Sequence, residues 1–173
     1  MPETITAPSF SARIVERLSV GATSRRERVI HSLDGLENPV HPDTLAHTGA
    51  DLWRLLQEQV PEGLDSVDFL LGLDAGGILP TVSLDGAVRF SEPHAMRTDV
   101  FAYGIAPGQR IVIVDDEITT GRTLADLTRR LREAGAVPLA AACLVEDTTR
   151  GARYLLTDLG LPLVSLTTIE GPA

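Results

Sequence analysis

Asp115, Asp116 and Glu117 stand side by side at the end of an apolar run, IVIV at 111–114, and the segment TTGRT follows at 119–123. Paired carboxylates at the mouth of a buried strand are acceptors: they take hydrogen bonds from vicinal hydroxyls or sit near a divalent cation, and they repel phosphate. The next residues have the opposite preference. A glycine among threonines at the start of a helix offers backbone N–H groups and hydroxyl donors to an anion, and its small side chains let a phosphate come close. A sugar with a terminal phosphate satisfies both halves, its diol on the acids and its phosphate on the loop.

Four other readings fit part of the pattern. Asp115 and Asp116 would serve as a helix cap and strand terminator, which leaves the threonine-glycine loop unexplained. A magnesium site of a nucleotide triphosphatase needs a glycine-rich loop ending in lysine. All fifteen basic residues of the chain are arginine, so that loop is absent, and so is the lysine of a phosphorelay receiver's acidic pocket. No GxGxxG follows any candidate strand, which removes a dinucleotide site.

The elements that must position these residues alternate. VDFLLGL at 67–73, residues 110–114, residues 138–145 and residues 163–168 read as buried strands. Helices are expected over 10–19, from Pro42–Asp43 to Pro61, over 78–84 after Gly76 and Gly77, over 121–134 and over 149–159. Residues 28–34 read as a short early strand, and 87–104 as one or two short strands with a mobile loop. Continuous apolar strands alternating with amphipathic helices predict an α/β fold, a mostly parallel twisted sheet with helices on both faces and a small N-terminal hood region. Ligands of such sheets sit at the carboxyl ends of the strands, and two segments fall there, 74–78 and 115–123.

The 173 residues form one expected domain, 1–173, with a loose arm over 1–10. A net charge of −9 argues against a nucleic-acid surface. The longest apolar run, Leu139–Val145, is far short of the roughly 20 residues of a membrane span. The start MPETITAPSF lacks the basic and apolar regions of a secretory signal. The expected setting is cytoplasmic, and the single Cys143 reads as a small buried hydrophobe.

Val114–Thr123, VDDEITTGRT, resembles the phosphoribosyl-pyrophosphate (PRPP) motif of type I phosphoribosyltransferases. GLDAGGILP at 72–80 is similar to the same family's pyrophosphate loop; residues 131–170 and 28–53 look like orotate-type enzymes, while GLDA is nearer to adenine-type ones. The resemblance implies a Mg2+-dependent transfer of ribose 5-phosphate from PRPP to a nitrogen of a purine- or pyrimidine-like base, by a homodimer. In it Asp115 and Asp116 bind the ribose hydroxyls, directly or with the metal. Glu117, Ile118, Thr119, Thr120, Gly121, Arg122 and Thr123 complete the ribose-phosphate site, Leu73, Asp74, Ala75, Gly76 and Gly77 hold pyrophosphate, and Arg97 of the mobile loop acts in catalysis. A non-catalytic regulator that binds PRPP or a nucleotide is the alternative.

The chain departs from the family pattern at three places. Glu117 stands at a position that is commonly apolar, and Thr119 replaces an aspartate of the hypoxanthine-guanine enzymes. The loop at 88–104 offers only Arg89, His94 and Arg97 against the several lysines of orotate-type enzymes. Phe101, Tyr103 and the strand residue His31 are candidates to face a base.

Overall fold

The computed structural model describes residues 10–16, 27–35, 39–60, 64–84, 86–90 and 104–171. His94, Arg97, Phe101, Tyr103, most of the segment 88–104 and the arm at 1–9 lie outside the described residues.

The chain runs β1 (Ala12–Glu16), β2 (Glu27–His31), α1 (Pro42–Gln59), β3 (Phe69–Gly72), α2 (Asp74–Val82), β4 (Val88–Phe90), β5 (Arg110–Ile118), α3 (Arg122–Glu133), β6 (Val137–Asp147), α4 (Ala152–Asp158) and β7 (Leu163–Ile169). Five strands make one sheet in the order β4-β3-β5-β6-β7, every neighbouring pair parallel. Helices cover both faces. Leu124, Leu127 and Leu131 of α3 and Leu156 of α4 pack with Ile111 and Ile113 on one side. Leu52 and Leu56 of α1 pack with Val112 and Val114 on the other, where the antiparallel hairpin β1–β2 adds Val29. The expected α/β class and parallel sheet are the observed ones.

Four boundaries differ from expectation. The first helix expected, over 10–19, is strand β1. Phe10, Ile14 and Val15 fit helical spacing, but Phe10, Ala12 and Ile14 also alternate with Ser11 and Arg13. That two-residue period puts those three against the core while β1 pairs with β2 from Ala12↔His31 to Glu16↔Glu27.

The second difference is α2, which begins at Asp74 rather than near Ile78 and so contains both glycines. Its N-cap is anchored on β5, where the Leu73 N–H donates to the Val114 carbonyl at 2.9 Å, and its first helical bond runs from the Gly77 N–H to the Leu73 carbonyl at 2.8 Å. Third, β5 continues through the acids to Ile118, and β6 continues to Asp147. Strand pairing carries both runs on, since Asp115, Glu117 and Ile118 are in register with Cys143, Val145 and Glu146. Fourth, the helix expected from Thr149 opens as a 3-10 turn and breaks at Gly151 (φ 77°) before α4 starts.

The strand order decides where a ligand can enter. From β3 the chain crosses to β4 on one side, and the next sheet strand, β5, lies on the other. The order reverses between β3 and β5, and a crevice opens at the carboxyl ends of such a pair.

Candidate active site

The acid pair and the first turn of α2 flank that crevice. Gly72, the last residue of β3, is in register with Val114, so residues 73–77 and the final residues of β5, 115–118, lie at the same end of neighbouring parallel strands. The sequence places both segments at carboxyl ends, and the structure brings them together. The glycines of α2 face the acids: a Cβ on Gly76 would lie 2.5 Å from Cγ and Oδ2 of Asp116, and one on Gly77 would lie 2.8 Å from the Val114 carbonyl oxygen.

Backbone amides orient the carboxylates in series. The Asp116 N–H donates to Asp115 Oδ1 at 2.9 Å, and the Glu117 N–H donates to Asp116 Oδ1 at 2.8 Å. Asp116 Oδ2 lies 3.6 Å from Nε2 of His31 on β2. The two acids differ as a result. Burial, then the adjacent Asp116 charge, push Asp115 well above the usual carboxylate range. Burial also works on Asp116, but the His31 ring facing it and the neighbouring Asp115 outweigh burial and hold the group below that range.

Beyond the acids the chain turns into α3. Thr119 is half-buried, Thr120, Arg122 and Thr123 are exposed, and Ile118 is buried in the core. Gly121 is the N-cap at φ 67°, with no side-chain cap, and a Cβ there would lie 3.0 Å from that of Ala152. The Ala125 N–H donates to the Gly121 carbonyl at 2.9 Å. The amides of Arg122, Thr123 and Leu124 therefore stand at the open end of a twelve-residue helix, where an anion is favoured. The first turn of α2 also has no side-chain cap at Leu73. Two helix N-termini and two acids thus meet at one end of the sheet.

Arg89, one of the loop cations named from the sequence, has its guanidinium 5.0 Å above the Phe69 ring, at the end of β3 away from the acids. Cys143 is buried and in register with Asp115, and burial pushes its thiol far up, in keeping with a packed hydrophobe.

A buried ionic cluster at this same end of the sheet has no local signal in the sequence. Glu146, 1% exposed, receives Nε and Nη2 of Arg153 from α4 and the Ser165 hydroxyl of β7 at 2.6 Å; Arg153 Nη1 also donates to the Leu163 carbonyl at 2.8 Å. Only the α4–β7 packing brings these residues together, so no local pattern marks them. Arg153→Ala strands a buried carboxylate. Because the guanidinium is half in water, the expected loss is about 2–3 kcal/mol rather than the full cost of a broken buried pair. A fall of roughly 5–10 °C in melting temperature should follow, with Arg153→Ala/Glu146→Gln recovering part of it. An unchanged melting temperature would show that the cluster does not support the fold.

The donor set also bears on a metal. Among the described residues no three His, Cys, Asp or Glu side chains group to hold an ion. Asp115 and Asp116 offer two carboxylates with one oxygen each already engaged by an amide. That fits Mg2+, which keeps its waters and binds through one or two carboxylates plus substrate phosphates, and it does not fit an all-protein cage.

Residues 87–159 match the family model of the phosphoribosyl transferase domain. The chain is 35% identical to an adenine phosphoribosyltransferase of Burkholderia pseudomallei over 127 residues, covering 61% of this chain and 68% of that one. It is 32% identical to orotate phosphoribosyltransferase 2 of Mesorhizobium japonicum over 127 residues, covering 70% of this chain and 64% of that one. The chain thus spans about two thirds of the length of these relatives. In fold it is similar to Mycobacterium tuberculosis orotate phosphoribosyltransferase in complex with PRPP, with a TM-score of 0.55, 20% identity and 75% of each chain covered. The chain belongs to the phosphoribosyltransferase family. It is accordingly an enzyme of the pentosyltransferase class.

Proposed function

We propose that the protein transfers the 5-phosphoribosyl group of PRPP to a ring nitrogen of a purine- or pyrimidine-like base, in the cytoplasm and with Mg2+, releasing pyrophosphate. The observation that carries this reading is the meeting of the acid pair with two uncapped helix N-termini at the reversal of strand order.

In this reading Asp115 and Asp116 accept the 2′- and 3′-hydroxyls and fix the ribose. The Thr119–Thr123 turn and the α3 amides hold the 5′-phosphate, and Leu73–Gly77 with the α2 amides hold the diphosphate. As the bond from C1 to pyrophosphate breaks, the sugar gains positive charge beside the two acids, and the leaving group's negative charge falls on the helix amides. Catalysis is positioning plus stabilisation of separating charge. Mg2+ bound with PRPP supplies further neutralisation of the diphosphate. The catalytic role that resemblance implies for Arg97, contributed within a homodimer, is part of this proposal.

A second reading has one observation in its favour. With Arg89 stacked on Phe69, the segment 88–104 keeps only His94 and Arg97 to meet a leaving diphosphate. A protein that binds PRPP and reports on it needs no more. Pyrophosphate release from PRPP and Mg2+ across a panel of purines and pyrimidines, with a no-base control and calorimetry of PRPP binding, separates the two. Base-dependent release is the expected result. Tight binding with no release on any base would replace the transferase by a sensor, and no binding would overturn both.

A further inference from the structure

His31 ends β2, and local bonds hold its ring in one orientation. The His31 backbone N–H donates to Asp34 Oδ2 at 3.0 Å, and the Asp34 N–H donates back to the His31 carbonyl at 3.1 Å. The Leu33 N–H donates to Nδ1 at 3.2 Å, and the Phe10 ring lies 5.8 Å away, centroid to centroid. Since Nδ1 accepts, the ring proton is on Nε2.

That N–H is buried and has no hydrogen-bond partner within reach among the described residues. The carboxylate it faces is Asp116, with Oδ2 at 3.6 Å. A core histidine held only for packing would satisfy both ring nitrogens, because a buried donor without a partner is costly. Here the turn His31–Asp34 spends its bonds on aiming the second nitrogen at an acid of the crevice.

We infer that His31 is a positioning residue for Asp116. When a ligand closes the 3.6 Å gap, His31 donates Nε2–H to Oδ2 while the Glu117 amide holds Oδ1, so the carboxylate is then clamped from both oxygens and each keeps a further lone pair for a ligand hydroxyl. Gly76 closes the third side, since its Cα face abuts the same carboxylate. Hydrogen bonds of this kind are often long without substrate and shorten when it binds. The clamp links the β1–β2 hairpin to the crevice, so hairpin and sugar site act as one unit. The inference rests on Asp116 being a ribose-binding acid, and it goes further by naming what holds that acid in place.

The test compares two variants that both lose Nδ1. His31→Phe keeps a ring beside Phe10 and removes the donor; His31→Gln places an amide nitrogen close to the position of Nε2. Calorimetry with PRPP and Mg2+ should show His31→Phe binding about tenfold or more weakly, the scale of one lost hydrogen bond to a charged group, and His31→Gln binding within about threefold of the parent. Equal affinity for His31→Phe and the parent overturns the inference, as do two variants that are equally weak, which would point to ring packing. Should His31→Phe not fold, the parent protein decides: the Nε2 resonance of labelled histidine is expected to shift on PRPP addition, and an unmoved resonance overturns the clamp. A parent protein that binds no PRPP removes the underlying assignment of Asp116 itself.

Discussion

Replacing Asp115 and Asp116 together by asparagine lowers kcat/KM for PRPP by roughly 10²- to 10⁴-fold while the protein stays folded. Each acid loses a charge-assisted hydrogen bond to a ribose hydroxyl, worth about 1.5–3 kcal/mol, and every 1.4 kcal/mol is about a factor of ten. The fold should survive because the amide oxygens keep the bonds from the Asp116 and Glu117 N–H groups. The singles should differ. Asp115 is raised well above the ordinary carboxylate range by burial and by its neighbour. A group whose pKa is raised by folding destabilises the native state as pH climbs through its unfolded value, so Asp115→Asn removes a penalty at neutral pH and the melting temperature should hold or rise. Asp116 is depressed, and its ionised form favours the native state at neutral pH. Asp116→Asn also risks setting an amide N–H against the His31 Nε2–H, so it should melt lower. Pyrophosphate release and thermal melting on the same samples check this. Turnover unchanged in the double variant would mean the acids are not the sugar site.

Much of this site is legible in the sequence because its chemistry is local. The apolar run 111–114, the acids and the small-residue turn lie within one stretch, and residue types alone state what they can bind. The sheet is legible for a similar reason: Ile111, Val112, Ile113 and Val114 are all buried, on both faces, as a central parallel strand requires. What stays hidden depends on partners distant in sequence. His31 as a strand residue is readable, but its aim at Asp116 is set by the hairpin's packing on the sheet. Glu146 and Arg153 meet only because α4 folds back along β6 and β7.

The misplaced boundaries fall where local preference is ambiguous or is overruled by a partner distant in sequence. Phe10–Glu16 carries two periods at once, and only pairing with β2 selects the strand. Gly76 and Gly77 oppose a helix by propensity, so the sequence places them in a loop. Their visible reason in the fold is the close approach of α2 to β5, a tertiary demand that outweighs propensity.

That close approach sets the second large effect, a contrast between two glycines. Gly76→Ala puts a Cβ within 2.5 Å of the Asp116 carboxylate, the end of a short side chain that can turn away. Alanine also favours the helix by about 1 kcal/mol over glycine, so stability should change little. The carboxylate, however, must leave the bonds from Glu117 and the contact with His31, and PRPP affinity should fall tenfold or more, the scale of one lost hydrogen bond to a charged group. Gly49→Ala meets something that cannot turn. Its Cβ would run into the backbone carbonyl of Ser83 and lie 2.6 Å from the Ser83 Cβ and Oγ. Ser83 is pinned by its N–H on the Leu79 carbonyl at 3.2 Å and its hydroxyl on the Pro80 carbonyl at 2.8 Å. Helices α1 and α2 must separate, at about 3 kcal/mol less the gain in propensity, so the melting temperature should drop by roughly 4–8 °C with PRPP affinity close to that of the parent. Calorimetry and thermal melting on both variants read the two axes apart. Gly76→Ala with unaltered affinity would show that the precise setting of Asp116 does not matter to the ligand, and the acid pair would lose its place at the centre of the site.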